Sequence, residues 1–225
     1  MKKLFLILLS IPMLGQGNQL SISIDSITTQ NSTAERIFTL NYQIKNLTNE
    51  TISFFLDTKK IISVSGASMR INPYYMVFQN KIYIPQVFSQ NRQTFTEEAY
   101  TKFIKQQTDY LNSVFDSYKK SGGISNDKYW VVKNIDLMQN IMSLKSNEVK
   151  HFSHILYWDK TRYFKENDLE YIIDEKDFYE FDLTINLIKR YFKESLSKEF
   201  YSKIEKDKNF IEGVFTSNKI EIDFR

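Results

Sequence analysis

The chain has two histidines, His151 and His154, three residues apart. In an extended strand, residues three apart point to opposite faces and cannot share one metal ion. On a helix they would lie on one side, and a zinc site would still need further ligands from Asp or Glu. The surrounding pattern is that of a strand, so two ordinary strand histidines and no metal are expected. The chain contains no Cys, which excludes thiolate nucleophiles and cysteine-ligated metals. The densest acidic stretch holds Asp168, Glu170, Asp174, Glu175, Asp177, Glu180 and Asp182. A calcium loop needs alternating oxygen ligands and a glycine to fold them around the ion, and neither is present. That stretch, with Tyr171, Ile172, Phe178 and Phe181 interleaved, reads as a solvated acidic face. Paired carboxylates for glycoside hydrolysis are defined by their separation in space, so a carboxylate-dependent hydrolase stays open as an alternative.

Other catalytic patterns fail at specific positions. Ser65-Gly66-Ala67-Ser68 lacks the second glycine of a nucleophile elbow. Six glycines in the whole chain leave little room for a phosphate-cradling loop, so no cofactor is expected. Lys189–Lys208 is lysine-rich with interleaved aromatics, but Glu194, Glu199, Glu205 and Asp207 intervene, giving a mixed-charge helix face rather than a nucleic-acid patch. Asn31-Ser32-Thr33, Asn46-Leu47-Thr48 and Asn49-Glu50-Thr51 match the glycosylation pattern, which matters only in a eukaryotic secretory route. No catalytic, cofactor-binding or metal-ligating residue is assigned.

The N-terminal residues carry an address. Lys2 and Lys3 form a positive n-region, Leu4–Leu14 an apolar segment too short to span a bilayer, and Gly15 and Gly17 a small-residue cut site before Asn18. Residues 1–17 are therefore expected to be a signal peptide, and residues 18–225 one exported domain, periplasmic or extracellular. Removing them takes two of 30 basic residues and none of 27 acidic ones, so the formal net charge falls from +3 to +1. That balance gives no electrostatic case for nucleic acid or an anionic membrane as partner. No later stretch is long and apolar enough to span a membrane. Without Cys no disulfide holds the fold, and 18 Phe and 14 Tyr must supply the core.

Hydrophobic periodicity gives the elements. Leu20–Ile27 alternates as a strand, with Thr28–Ala34 as a turn. Within Glu35–Asp57, Phe38, Leu40, Tyr42 and Ile44 alternate with polar residues, Asn46–Glu50 supplies turn chemistry and Thr51–Leu56 returns, which predicts an antiparallel hairpin. Lys59–Val64 is a short strand, and Tyr74–Phe78 with Ile82–Ile84 a hairpin across Gln79-Asn80-Lys81, bracketed by Pro73 and Pro85. The period then becomes helical over Thr94–Lys120, with capping-box spacing at Thr94–Glu97 and a stop at Gly122. Tyr129–Val132 reads as strand, Asn134–Met142 as strand or helix, and Lys150–Trp158 as a long strand. Tyr179–Leu187 alternates again, Leu196, Phe200 and Ile204 mark a short helix, and Phe210–Phe215 with Ile220–Phe224 close the chain around Ser217-Asn218. The expected fold is mainly β, an antiparallel sandwich with one long and one short helical insertion, the long one at 94–120.

Three segments, "NLTNE" at 46–50, "SLKSNE" at 143–148 and "GVFTSNKIEIDF" at 213–224, resemble the corresponding segments of immunoglobulin-like β-sandwiches of exported bacterial proteins. The resemblance implies that "SLKSNE" leads into a strand near the change of sheet and that the last segment forms a closing hairpin. It brings no catalytic residues with it. The expected function is a soluble, non-enzymatic binding module for a protein or cell-surface partner. The alternatives are a periplasmic inhibitor or immunity-type protein blocking one enzyme, and the hydrolase above.

The helix at 94–120 carries the one candidate surface. Its apolar positions cover an arc of roughly 200°, about twice the stripe needed to dock on one surface. Tyr100, Ile104, Leu111 and Phe115 form the second half of that arc. They are expected either to be covered by Leu196, Phe200 and Ile204 or to be held out for a partner. The export reading has its own check: intact-mass measurement on protein from the native host should give an N-terminus near Asn18, and Met1 retained on most molecules would overturn it.

Overall fold

Phe38, Leu40, Tyr42 and Ile44 are fully buried, while Ile37, Thr39, Asn41 and Gln43 keep partial exposure. A pleated strand with one face in the core dictates that alternation. The computed structural model describes residues 19–31, 35–63, 71–85, 87–88, 96–159, 169–170 and 177–224. The expected signal peptide, 1–17, lies outside them.

The first seven strands are β1 (Leu20–Asn31), β2 (Glu35–Asn46), β3 (Ile52–Phe55), β4 (Ile62–Ser63), β5 (Tyr74–Gln79), β6 (Ile82–Tyr83) and β7 (Val87–Phe88). Helices α1 (Glu97–Lys120) and α2 (Lys128–Gln139) follow, then β8 (Ile141–Leu144), β9 (Val149–Asp159), β10 (Leu169–Glu170) and β11 (Tyr179–Leu187). A 3-10 turn at Lys189–Phe192, α3 (Lys198–Lys206), β12 (Gly213–Thr216) and β13 (Ile220–Glu221) complete the chain. The fold is mainly β.

One three-stranded antiparallel sheet has the order β1-β2-β9. A six-stranded sheet runs β12-β11-β5-β4, with β13 also on β11 and β6 on β5, and β4 alone joins in parallel. Inward side chains of both, with Ile52, Phe54 and Leu144, fill one apolar core. Phe224 meets Phe38 edge-on at 5.5 Å and Tyr179 edge-on at 5.0 Å, and Tyr75 stacks on Phe181 at 5.1 Å. A second, smaller core lies beyond the β3–β8 ribbon, where Phe55, Leu137, Leu196, Tyr201, Ile204 and Phe210 meet.

Several expectations change here. The strands of Glu35–Asp57 exist, but they do not form a hairpin. β2 pairs with β1 and β9, and β3 pairs with β8. Residues 46–50 are a corner, at which the β2–β9 ribbon turns into the β3–β8 ribbon. The buried Asn46 amide makes the corner. Its Nδ2 donates to the carbonyls of Glu50 (2.8 Å), Leu144 (3.1 Å) and Lys145 (2.8 Å), and its Oδ1 accepts from the Thr48 N–H at 2.8 Å. Tyr129–Val132 is not a strand but the first turns of α2, opened by Asp127 Oδ1 accepting from Trp130 N at 3.0 Å. The described helices therefore number three, one more than expected.

The last segment is not a closing hairpin either. β12 and β13 both run antiparallel along the same edge of β11, as one interrupted strand. Ser217 splices them, donating its N–H to Leu183 O and accepting from Leu183 N on Oγ. β1 continues through the expected turn to Asn31. The β5–β6 hairpin forms as expected, with Asn80 and Lys81 at positive φ, 51° and 70°.

Asn46 yields a stability test. Asn46→Ala leaves buried carbonyls and the Thr48 N–H without partners and should cost about 2–4 kcal/mol in denaturant unfolding. Asn49→Ala, at an exposed position of the same segment, should change stability by less than about 0.5 kcal/mol. Equal losses would show that the corner does not depend on the amide.

Candidate functional site

Helix α1 begins where Thr96 Oγ1 accepts from Ala99 N at 3.2 Å, with Glu97 and Glu98 in the first turn and Lys119 and Lys120 in the last. The cap is thus Thr96, not the expected Thr94, which lies outside the described residues. Gly122, at φ +90°, ends the run as expected. The C-terminal half packs against α2. Lys128 Nζ donates to Asn112 Oδ1 at 2.7 Å, and the Lys119 and Lys128 ammonium groups each lie 5.5 Å from the Phe115 ring centre. Tyr110 donates its hydroxyl to Asp136, and that bond to a carboxylate pushes the phenol pKa up.

Every residue from Glu97 to Tyr110 is exposed, about 21 Å of helix. Tyr100 is 55% and Ile104 44% exposed, while Leu111 and Phe115 are half-buried, Phe115 beneath Lys128 of α2. The four predicted residues thus divide into two that are exposed and two that are half-buried. The expected cover is absent: Leu196 and Ile204 turn into the second core, with Phe200 packed against it, beside Phe55 and Phe210.

A second feature lies on the outer face of β11. The odd-numbered residues Tyr179 to Leu187 fill the core, so Glu180, Asp182, Thr184 and Asn186 face the other way. Asp182 is nevertheless only 2% exposed, and its Oδ1 has no hydrogen-bond partner. Burial pushes its carboxyl up to about 6; Lys219 opposes this and Glu180 adds to it. Lys219 Nζ sits 3.2 Å from the Phe78 ring centre, and Thr184 Oγ1 shares a 3.0 Å hydrogen bond with Thr216 Oγ1. The expected solvated acidic face is therefore wrong at Asp182. Asp177 is exposed and accepts from Gln79, and Asp168, Asp174 and Glu175 lie outside the described residues.

β9 puts the histidines on opposite faces, as its alternation predicts. His151 is exposed, with Nδ1 3.7 Å from Asp25 Oδ2 across the sheet. His154 stacks at 6.0 Å on Tyr42, and burial lowers its pKa against a hydrogen bond to the Thr58 backbone. The lysine-rich stretch is tied down in mixed charge: Lys203 bonds Glu199 at 2.8 Å, and Lys189 Nζ donates to the Ile204 carbonyl at 3.3 Å. Sequence reasoning missed a polar hollow of about 300 Å³ lined by residues that include Gln19, Thr48, Glu50, Lys208 and Asn209. Within it the Asn209 amide, then Lys208, hold the Glu50 carboxyl below its ordinary range. No three His, Asp or Glu side chains cluster as metal ligands among the described residues, and none of their helices is long and apolar enough to cross a membrane.

Comparison with protein-family models, with curated proteins and with solved structures finds no match to this chain.

Asp182 gives a pH test. Its folded value lies above the ordinary 3.8, so folding favours the protonated acid. Its contribution is complete below about pH 4 and is lost as pH rises through 6, a difference of about 3 kcal/mol. Asp182→Asn should therefore match wild type near pH 4 and exceed its stability above pH 7. Parallel urea-unfolding curves for the two proteins across that range would overturn the assignment.

Proposed function

We propose that the chain is an exported, soluble, non-enzymatic binding module, an immunoglobulin-like β-sandwich acting in the periplasm or outside the cell. It recognises a protein or cell-surface partner through one face of α1. The exposure of Tyr100 and Ile104, on a helix none of whose residues is buried, carries the reading. Tyr offers a large contact area with a polar tip at low entropic cost, and an apolar strip left in water is unfavourable unless something binds it. Leu111 and Phe115 sit about two and three turns beyond Ile104, in the half of the helix that α2 fixes, and so set the direction in which the strip is presented.

The export half of the proposal rests on residues 1–17, and the sandwich half on two sheets sharing one core. An inhibitor-type protein would use the same face for one enzyme and form a tight one-to-one complex. A cell-surface adhesin would bind a polymer or surface weakly and repeatedly.

The test is partner capture from the native compartment with the purified chain, repeated with Tyr100→Ser/Ile104→Ser. Both positions are exposed, so stability should change by less than about 0.5 kcal/mol. Capture should fall at least about tenfold, as expected for the loss of two anchors. Undiminished capture by the double variant would remove α1 from the interface.

A further inference from the structure

The three-stranded sheet has two edges, and the structure treats them differently. On β1, Ile24 N donates to Asn218 Oδ1 at 2.8 Å, and Asn218 Nδ2 donates back to Ile24 O at 3.2 Å. One side-chain amide thus imitates a neighbouring strand, and Thr29 Oγ1 adds a 3.3 Å bond to Asp223 O. That edge is sealed. β9, the other edge, pairs with β2 alone among the described residues.

The parity of β9 follows from one bond. Asn46 N donates to Glu148 O at 3.0 Å, so 46 and 148 are a hydrogen-bonded pair. The register continues without a break from Lys45 opposite Val149 to Glu35 opposite Asp159. Even-numbered β9 residues therefore spend their backbone groups on β2. Val149, His151, Ser153, Ile155 and Tyr157 aim their N–H and C=O groups outward. Sheet edges are ordinarily blunted by proline, a bulge, an outward lysine or a covering segment. Within β9 there is no proline and no bulge, and its one lysine, Lys150, turns its ammonium to Ser143 O at 3.0 Å. Ile155 and Tyr157, which should need shielding, are 54% and 59% exposed.

We propose that this edge is the interface with a second copy of the same chain, β9 pairing antiparallel with β9 about a two-fold axis at Ser153. An alternating row of donors and acceptors fits another extended strand, and the sequence of β9 fits itself. In that register Val149 faces Tyr157, His151 faces Ile155 and Ser153 faces Ser153 on the outer side. Lys150 faces Leu156 and Phe152 faces His154 on the inner side. No like charges oppose one another, and the exposed Ile155 and Tyr157 gain cross-strand neighbours. The contact is isologous, closes on itself, and makes about ten backbone hydrogen bonds. It joins two three-stranded sheets into one of six strands.

Sedimentation of the purified full chain over a roughly hundredfold concentration range around the micromolar scale, with hydrogen exchange at the β9 amides, tests the pairing. A concentration-dependent dimer is expected, with the His151, Ser153 and Ile155 amides protected only in the dimer. Ser153→Pro removes an outward donor and no bond to β2, and Ile155→Lys places a charge on the open edge. Each should raise the dissociation constant at least about tenfold with the melting midpoint of the monomer unchanged; His154→Pro, which breaks the β2 ladder, should lower that midpoint. If Ser153→Pro fails to fold, Ile155→Lys decides. A wild-type monomer with freely exchanging odd amides would overturn the proposal. So would a monomer with those amides protected, in which the chain covers its own edge, or a dimer that survives both variants.

Discussion

Where a chain passes from one sheet to another its ladder is interrupted, and carbonyls that are buried at the break are costly if left unpaired. Here two strands do so together, and Asn46 makes the passage tolerable. Its side chain, 0% exposed, reaches the carbonyls of both turning strands, while its backbone N–H holds Glu148 O. Leu47 N donates to Gln19 O at 2.9 Å beside it, so the start of β1 is pinned at the same corner. Beyond the corner, Phe54 enters the large core and Phe55 the small one, from successive residues of β3. The two cores thus share a wall whose position depends on where the ribbon bends. The same burial excludes a glycan at Asn46 in the folded chain, although the sequence matches the acceptor pattern there.

The strands whose character is set locally were legible in sequence. β2, β9 and β11 alternate cleanly, and α1 shows helical spacing with matched charges at its ends. What sequence did not show was pairing. Asn46–Glu50 has the composition of a tight reversal, and only the tertiary partners Leu144 and Lys145 make it a corner. Ser217-Asn218 also looked like a reversal, but its side chains serve as hydrogen-bonding substitutes, Ser217 for β11 and Asn218 for β1. Helix α2 was hidden because Tyr129-Trp130-Val131-Val132 has strand composition. Asp127, three residues before Trp130, was the one local sign of a cap. Helical spacing put Tyr100, Ile104, Leu111 and Phe115 on one helix, but the direction of α3, set by the small core, was not visible.

Asp182 shows the limit of alternation from the other side. The pattern of β11 correctly sends Asp182 away from the core, yet alternation carries no information on what lies over the outer face of a sheet. A central strand between β5 and β12 is enclosed by its neighbours' side chains as well as by its own core. The result is a carboxyl that the fold holds toward its neutral form. Tyr42 and Asn186 each carry a further buried oxygen without a hydrogen-bond partner. Such atoms cost on the order of 1–3 kcal/mol each, against a total stability of roughly 5–15 kcal/mol for a domain. With no disulfide in the chain, packing of the aromatic core must outweigh them.

The two surfaces left open among the described residues differ in kind. The strip on α1 offers side chains, so under the proposed function what it recognises would depend on the shape and polarity of a partner. The edge of β9 offers backbone, which reads only extension and register and suits pairing of like with like. The roles are therefore separable, and one does not consume the groups of the other. Under the two-fold pairing of β9, every particle carries two copies of α1. Binding of the first to a surface raises the effective concentration of the second near its own site, which can strengthen attachment by about 10²–10⁴ without any new contact.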